Sequence, residues 1–142
     1  MNGFLIAAAV GNGLAALLHV GCIIFGASWY RFFGAGEQMA TWAEEGIIRP
    51  TIITSFIVIV LCIFSMYALS AANVIRKLPL LKIGLVGITS LFLIRGIGGL
   101  FLISSVTEQG SSFWLWSSVI CLIYGMLHLM GLRQYNARND VQ

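Results

Sequence analysis

The sequence predicts an all-α integral membrane protein: a four-helix transmembrane bundle with a short interfacial helix in its first loop. Three observations carry that prediction. Of 142 residues, 59% are hydrophobic and only 9% charged, whereas soluble domains are about 25% charged. The apolar residues gather in four blocks, each near the roughly 20 residues needed to cross a hydrocarbon core about 30 Å thick. Trp29, Tyr30, Trp42, Trp114 and Trp116 stand near the block ends, at the headgroup depth where amphipathic rings anchor helices. A soluble fold is excluded, and residues 1–142 read as a single transmembrane domain.

The first span covers about 4–25. It is too long for a typical signal-peptide core and is read as an uncleaved helix. The second covers about 51–72, with Pro50 in its first turn and Asn73 and Arg76-Lys77 at its end, because proline there gives up an N–H that a helix start does not use. The third covers about 80–104 after Pro79, and the fourth about 113–132 after the turn and cap residues Gly110-Ser111-Ser112. Within the first loop, the stretch 36–45 favours a helix, with Met39, Trp42 and Ala43 at helical spacing. It is expected to lie at the outer interface, aromatic face down, or to serve as a plain surface cover.

Charge sets the orientation. Arg76, Lys77, Lys82, Arg133 and Arg138 fall on one side, while Arg31 and Arg49 on the other face Glu37, Glu44, Glu45 and Glu108. The positive-inside rule places both termini in the cytoplasm. A bacterial inner membrane is the expected location. The net charge of +3 is then a topology signal, and no nucleic-acid partner is expected. Cys22, Cys62 and Cys121 are odd in number, lie in apolar runs and show no CxxC or Cys/His spacing, so they read as packing residues.

Ionisable side chains within spans are costly and often functional. His19 and Arg95 each lie 15 residues from the cytoplasmic start of their spans, about 22 Å up at 1.5 Å per residue. Thr54 and Ser117 fall within about a turn of that level in the descending helices. Arg95 cannot be neutralised in a protein and needs acceptors, yet no Asp or Glu lies in any span. The nearest acid is Glu37, reached through Gly34-Ala35-Gly36, so an Arg95–Glu37 pair with His19 beside it is expected to line an outward-facing cavity. The structural alternative is a clamp, in which Arg95 binds carbonyls and serines and fixes helix register.

His128 is expected about 6 Å above the cytoplasmic edge, paired with Tyr67 or snorkelling. The two histidines differ in depth by about 16 Å. That excludes one haem held by both, and with too few ligands at one level no metal or cofactor is expected. Arg95-Gly96-Ile97-Gly98-Gly99 follows no strand and is not a phosphate loop. Gly84, Gly87, Gly96 and Gly99 in the third helix, and Gly11, Gly13 and Gly21 in the first, read as smooth strips for close packing. Asn12 reads as an interhelical hydrogen-bond donor. No nucleophile motif or deep carboxylate pair appears.

The His19 span running into WYRFFGAGE, then YALSAANVIRKLPLLK and LIRGIGG, resembles a group of small bacterial four-helix inner-membrane proteins with an RFFGAGE-type first loop. In size and span number the chain is loosely similar to DoxX-like proteins. The resemblance implies the bundle architecture over nearly the whole chain and carries no catalytic residue.

Function is then expected at the shared polar level. Arg95 would bind an anionic or carbonyl group of a small or lipid-like ligand, with His19, Glu37, Ser117 and Thr54 around it. Transport and accessory binding both fit. A transport role leans on a homo-oligomer, because one four-helix unit has little room for a pore. Two alternatives stand: an embedded enzyme acting on a lipid or quinone through His19 and Arg95, and a structural subunit of a larger membrane complex.

Overall fold

A computed structural model describes residues 2–102 and 108–139, with side chains over 2–102 and 113–138. Among these residues the regular structure is helical: α1 (Gly3–Phe25), α2 (Ala27–Phe32), α3 (Glu37–Glu44), α4 (Arg49–Ala71), α5 (Leu81–Leu102) and α6 (Glu108–Asn139). Helices α1, α4, α5 and the Phe113–Arg138 stretch of α6 are each long and apolar enough to cross a membrane. The expected all-α four-helix bundle and the helix in the first loop are both present; α2 is an addition.

Local chemistry explains the ends. Asn2 caps α1, its side-chain oxygen accepting from the Leu5 N–H at 3.3 Å. Pro50 sits in the first turn of α4. That helix ends in a Schellman motif: Asn73 takes φ +60°, Val74 N–H donates to Leu69 O at 3.0 Å, and Asn73 N–H donates to Ser70 O at 3.1 Å. Ser70 then holds the turn to α5, donating to Arg76 O and accepting from Leu78 N–H.

The fourth span differs from its expected bounds. Its helix begins at Glu108, so Gly110, Ser111 and Ser112 are helical rather than a turn, and it runs past Leu132 to Asn139. No Gly or Pro interrupts the polar residues after Leu132. Tyr135 also packs on the Leu5 cluster, which gives the extension an anchor. The expected last two residues of the third span, Ile103 and Ser104, lie outside the described residues.

The bundle consists of two tight pairs, α1 with α4 and α5 with α6, joined mainly through α1 and α6. Glycines set the close approaches. Leu5 fills the space beside Gly131, Tyr124 covers Gly11, Leu122 covers Gly96, and Leu93 covers Gly125. Gly21 lies under Trp29 and Gly84 under Tyr67, whereas Gly13 and Gly87 face open space. Alanines and leucines form a core at one end (Leu5, Ala9, Ala68, Ala71, Leu85, Leu132) and a second at mid-height around Ala16, Leu61, Ile88 and Phe92. A third, of Cys22, Tyr30 and Ala40, seats α2 and α3 on the bundle. Leu17, Phe56, Ile83 and Ile94 remain about two-thirds or more exposed. An apolar surface of this kind belongs against acyl chains rather than water.

Candidate functional site

Arg95 lies in α5, half-buried against α6. Its Nη2 donates to Ser117 Oγ at 3.2 Å, and its Cζ stands 4.6 Å from the centre of the Trp114 ring, a cation–π contact. Two residues of α6, separated by three positions, thus grip one guanidinium. Its Nη1 is buried and has no hydrogen-bond partner. Among the described residues no carboxylate reaches it; Glu37 and Glu44 pair with Arg31.

Arg95 and Ser117 are therefore brought together, and the other expected site residues are distributed elsewhere. His19, half-buried on α1, donates from Nδ1 to Ala15 O at 2.7 Å, within its own helix. Leu5 opposes Gly131 and Gly11 opposes Tyr124, and that antiparallel register carries His19 to about the level of Ser117. Among the described residues no hydrogen bond joins His19 to Arg95. Thr54, buried on α4, shares a 3.0 Å hydrogen bond with the Tyr30 hydroxyl. It fastens α2 to the bundle.

The expected Arg95–Glu37 pair does not form. Glu37 begins α3 and both its oxygens accept from Arg31 Nε, at 2.9 and 3.0 Å. Arg31 Nη1 also reaches Glu44 Oε1 at 2.5 Å. The physical reason is the turn between α2 and α3, where Gly34 and Gly36 take φ +71° and +103°, conformations that side chains disfavour. The turn folds α3 back beside α2 and leaves an exposed arginine next to both acids. These hydrogen bonds hold the Glu37 and Glu44 carboxyls below the usual carboxylate range and raise Arg31 above its own.

The expected His128–Tyr67 pair is also replaced. Tyr67 donates to Pro79 O at 3.3 Å. His128 is wholly buried and donates from Nδ1 to Tyr124 O at 2.9 Å. A neutral ring with its proton on Nδ1 leaves Nε2 as an acceptor, and the Asn12 amide lies 3.5 Å from it, a long bond. Asn12 is thus the interhelical donor its position suggested. Phe92 lies against the imidazole with ring centres 5.5 Å apart, and Tyr124 donates to Gly11 O at 2.8 Å. Asn12 Oδ1 has no partner. This polar layer ties α1 to α6 in the middle of the bundle.

Sequence reasoning missed Trp114 as a guanidinium partner, Arg31 as a clamp and Tyr30 as the tether of Thr54. The spacing of Trp114 and Ser117 on one helix face was the available signal for the first. An open apolar cleft of about 360 Å³ lies on α2, lined by Ser28, Trp29, Phe32 and Phe33. No group of three His, Cys, Asp or Glu residues that could hold a metal gathers among the described residues. Comparison with protein-family models, with curated proteins and with solved structures found no match. The class that fold and composition define is a multi-pass, all-helical membrane protein.

Proposed function

We propose that this protein binds a small anionic or lipid-like ligand in the outer half of the bilayer, with Arg95 as the anchor. The observation that carries the reading is the guanidinium itself: it lies within a span, meets no carboxylate among the described residues, and keeps a buried nitrogen without an acceptor. A permanent positive charge at that depth is costly. An anionic ligand would neutralise it and supply the missing acceptor, while Ser117 and Trp114 fix the direction of the fork. Glu37 drops out of the site because Arg31 holds it. His19 stands at about the same height on α1, and Thr54 supports the α2 cover.

In this reading the chain sits in a bacterial inner membrane with both termini in the cytoplasm, as the basic residues at 76–82 and 133–138 favour. It belongs with the small four-helix proteins that its RFFGAGE loop resembles. It serves as an accessory binding protein or, as a homo-oligomer, in transport. Enzyme chemistry has less support, since His19 bonds within its own helix. The structural-subunit reading draws on the Asn12–His128–Tyr124 layer, which needs no ligand to explain it.

The test is thermal unfolding of the purified full chain in neutral detergent, with and without an added anionic amphiphile, either oleate or phosphatidylglycerol. The natural sequence should be stabilised by at least one of them, R95K should respond partly, and R95Q should not respond. An equal response in R95Q, or none in the natural sequence, would overturn the reading.

A further inference from the structure

The turn from α4 to α5 gathers cations and apolar side chains at one end of the bundle. Arg76, Lys77 and Lys82 are exposed there, and Arg133 is exposed on α6. Leu78 and Tyr135 pack on the same cluster around Ala68, Leu81 and Leu132, so both cationic stretches share that end. The sequence has no acid between Glu45 and Glu108, nor between Glu108 and Asp140. Among the described residues no carboxylate pairs with these four cations. The first turn of α5 holds Lys82 and no acid, which sets cations at the positive end of a helix dipole, an arrangement that a nearby anion relieves.

The turn is also held in a shape that directs apolar side chains outward. Ser70 bonds to Arg76 O and Leu78 N–H, and Tyr67 donates to Pro79 O. Leu80 takes φ +53°, a left-handed conformation unfavourable for a bulky side chain, yet that side chain is 72% exposed. Val74 and Ile75, in the same turn, are exposed as well. In water such an arrangement gains nothing, whereas acyl chains would take Leu80 out of water.

We infer that this end of the bundle is a docking surface for anionic phospholipids. Arg76, Lys77, Lys82 and Arg133 meet the headgroups, and Leu80 reaches among the acyl chains. Charge and position select the occupant. Cations without acids call for a partner of net negative charge, and a turn between two membrane-capable helices lies at the bilayer surface. An acidic polypeptide would match the charge but leave Val74, Ile75 and Leu80 in water. Lys82 and Arg95 are 13 residues apart on α5, about 20 Å along the helix, so this surface is separate from the Arg95 site and does not depend on it.

The experiment is native mass spectrometry of the full chain released from nanodiscs of phosphatidylcholine and phosphatidylglycerol in equal amounts. Both lipids carry a phosphate, so a preference between them reads net headgroup charge. The natural sequence should prefer phosphatidylglycerol by about fivefold for each cation engaged. That preference should vanish in discs equilibrated at about 1 M salt, where the screening length is about 3 Å. K77R/K82R should keep it, and R76Q/K77Q/K82Q should lose most of it; the salt arm decides alone if the glutamine variant does not fold. No preference in the natural sequence, or one that survives either high salt or the glutamine variant, would overturn the inference. Binding of polyglutamate to the chain in phosphatidylcholine discs, without any lipid preference, would assign the surface to an acidic polypeptide and overturn the lipid. A nitroxide on Leu80→Cys, with Cys22, Cys62 and Cys121 replaced by alanine, should be relaxed more by oxygen than by a water-soluble nickel complex; the reverse would overturn the depth given to Leu80.

Discussion

Replacing Asn12 and His128 by leucine, singly and together, should give an asymmetric response. Both residues are fully buried, joined by a bond of 3.5 Å. Hydrogen bonds between transmembrane helices average about 0.6 kcal/mol, and a bond of this length belongs at or below that value. Atoms left unpaired matter more, at about 1–3 kcal/mol each. Asn12→Leu orphans His128 Nε2 but removes Asn12 Oδ1, which is already without a partner. The two nearly cancel, and the expected change is within about 1 kcal/mol. His128→Leu leaves both ends of the Asn12 amide unpaired and removes the ring contact with Phe92, so it should cost about 2–3 kcal/mol. The double variant carries no orphan and should recover to near the natural stability. Reversible unfolding in mixed micelles, followed by circular dichroism and titrated with dodecyl sulfate, reads all four proteins. The reasoning fails if Asn12→Leu is as damaging as His128→Leu, or if the double variant is the sum of the singles.

Three further outcomes are expected. Gly96→Ala should destabilise by about 1–3 kcal/mol, because its Cβ would meet the Leu122 side chain at 2.6 Å and the Leu122 backbone nitrogen at 3.0 Å; Gly87→Ala, facing open space, should stabilise by up to about 1 kcal/mol, and the same micelle titration compares them. Glu37 and Glu44 should titrate below their ordinary value of 4.5 in carboxyl NMR and return to it in Arg31→Met. Since folding lowers both, the stabilisation that the clamp gives is complete above pH 4.5 and is lost as the pH falls through the folded values. Asn73→Ala should cost about 1 kcal/mol at φ +60°, whereas Asn73→Gly should be neutral or better; thermal melts distinguish the two.

The spans were legible because hydropathy responds to composition over about 20 residues and needs no tertiary information. Local signals of fixed geometry also read well: Pro50 within the first turn, Asn73 at the end of α4, Asn12 as a donor toward a neighbour. What stayed hidden depends on register between helices. His128 meets Asn12 rather than Tyr67 because Leu5 seats against Gly131 and sets how α1 and α6 slide past each other, and no spacing within one span encodes that. The six-residue α2 has too few residues to be stable alone; burial of Tyr30 and its bond to Thr54 hold it. Arg31 looked like a loop charge, and its capture of Glu37 and Glu44 follows from a turn geometry at two glycines. At the candidate site, polarity and depth singled out Arg95 and Ser117, while the missing acceptor at Nη1 emerges only once α5 packs on α6.

The tie between the two outermost helices of the chain also bears on how the protein is made. Asn2 donates to Gly131 O at 2.8 Å, Leu5 lodges beside the same glycine, and Asn12 waits for His128. A nascent chain leaves the ribosome with its opening helix unmatched on that flank, and the matching groups emerge well over a hundred residues later. Zipping this seam therefore follows the synthesis of α6, whereas the pairing of α1 with α4 can form before it.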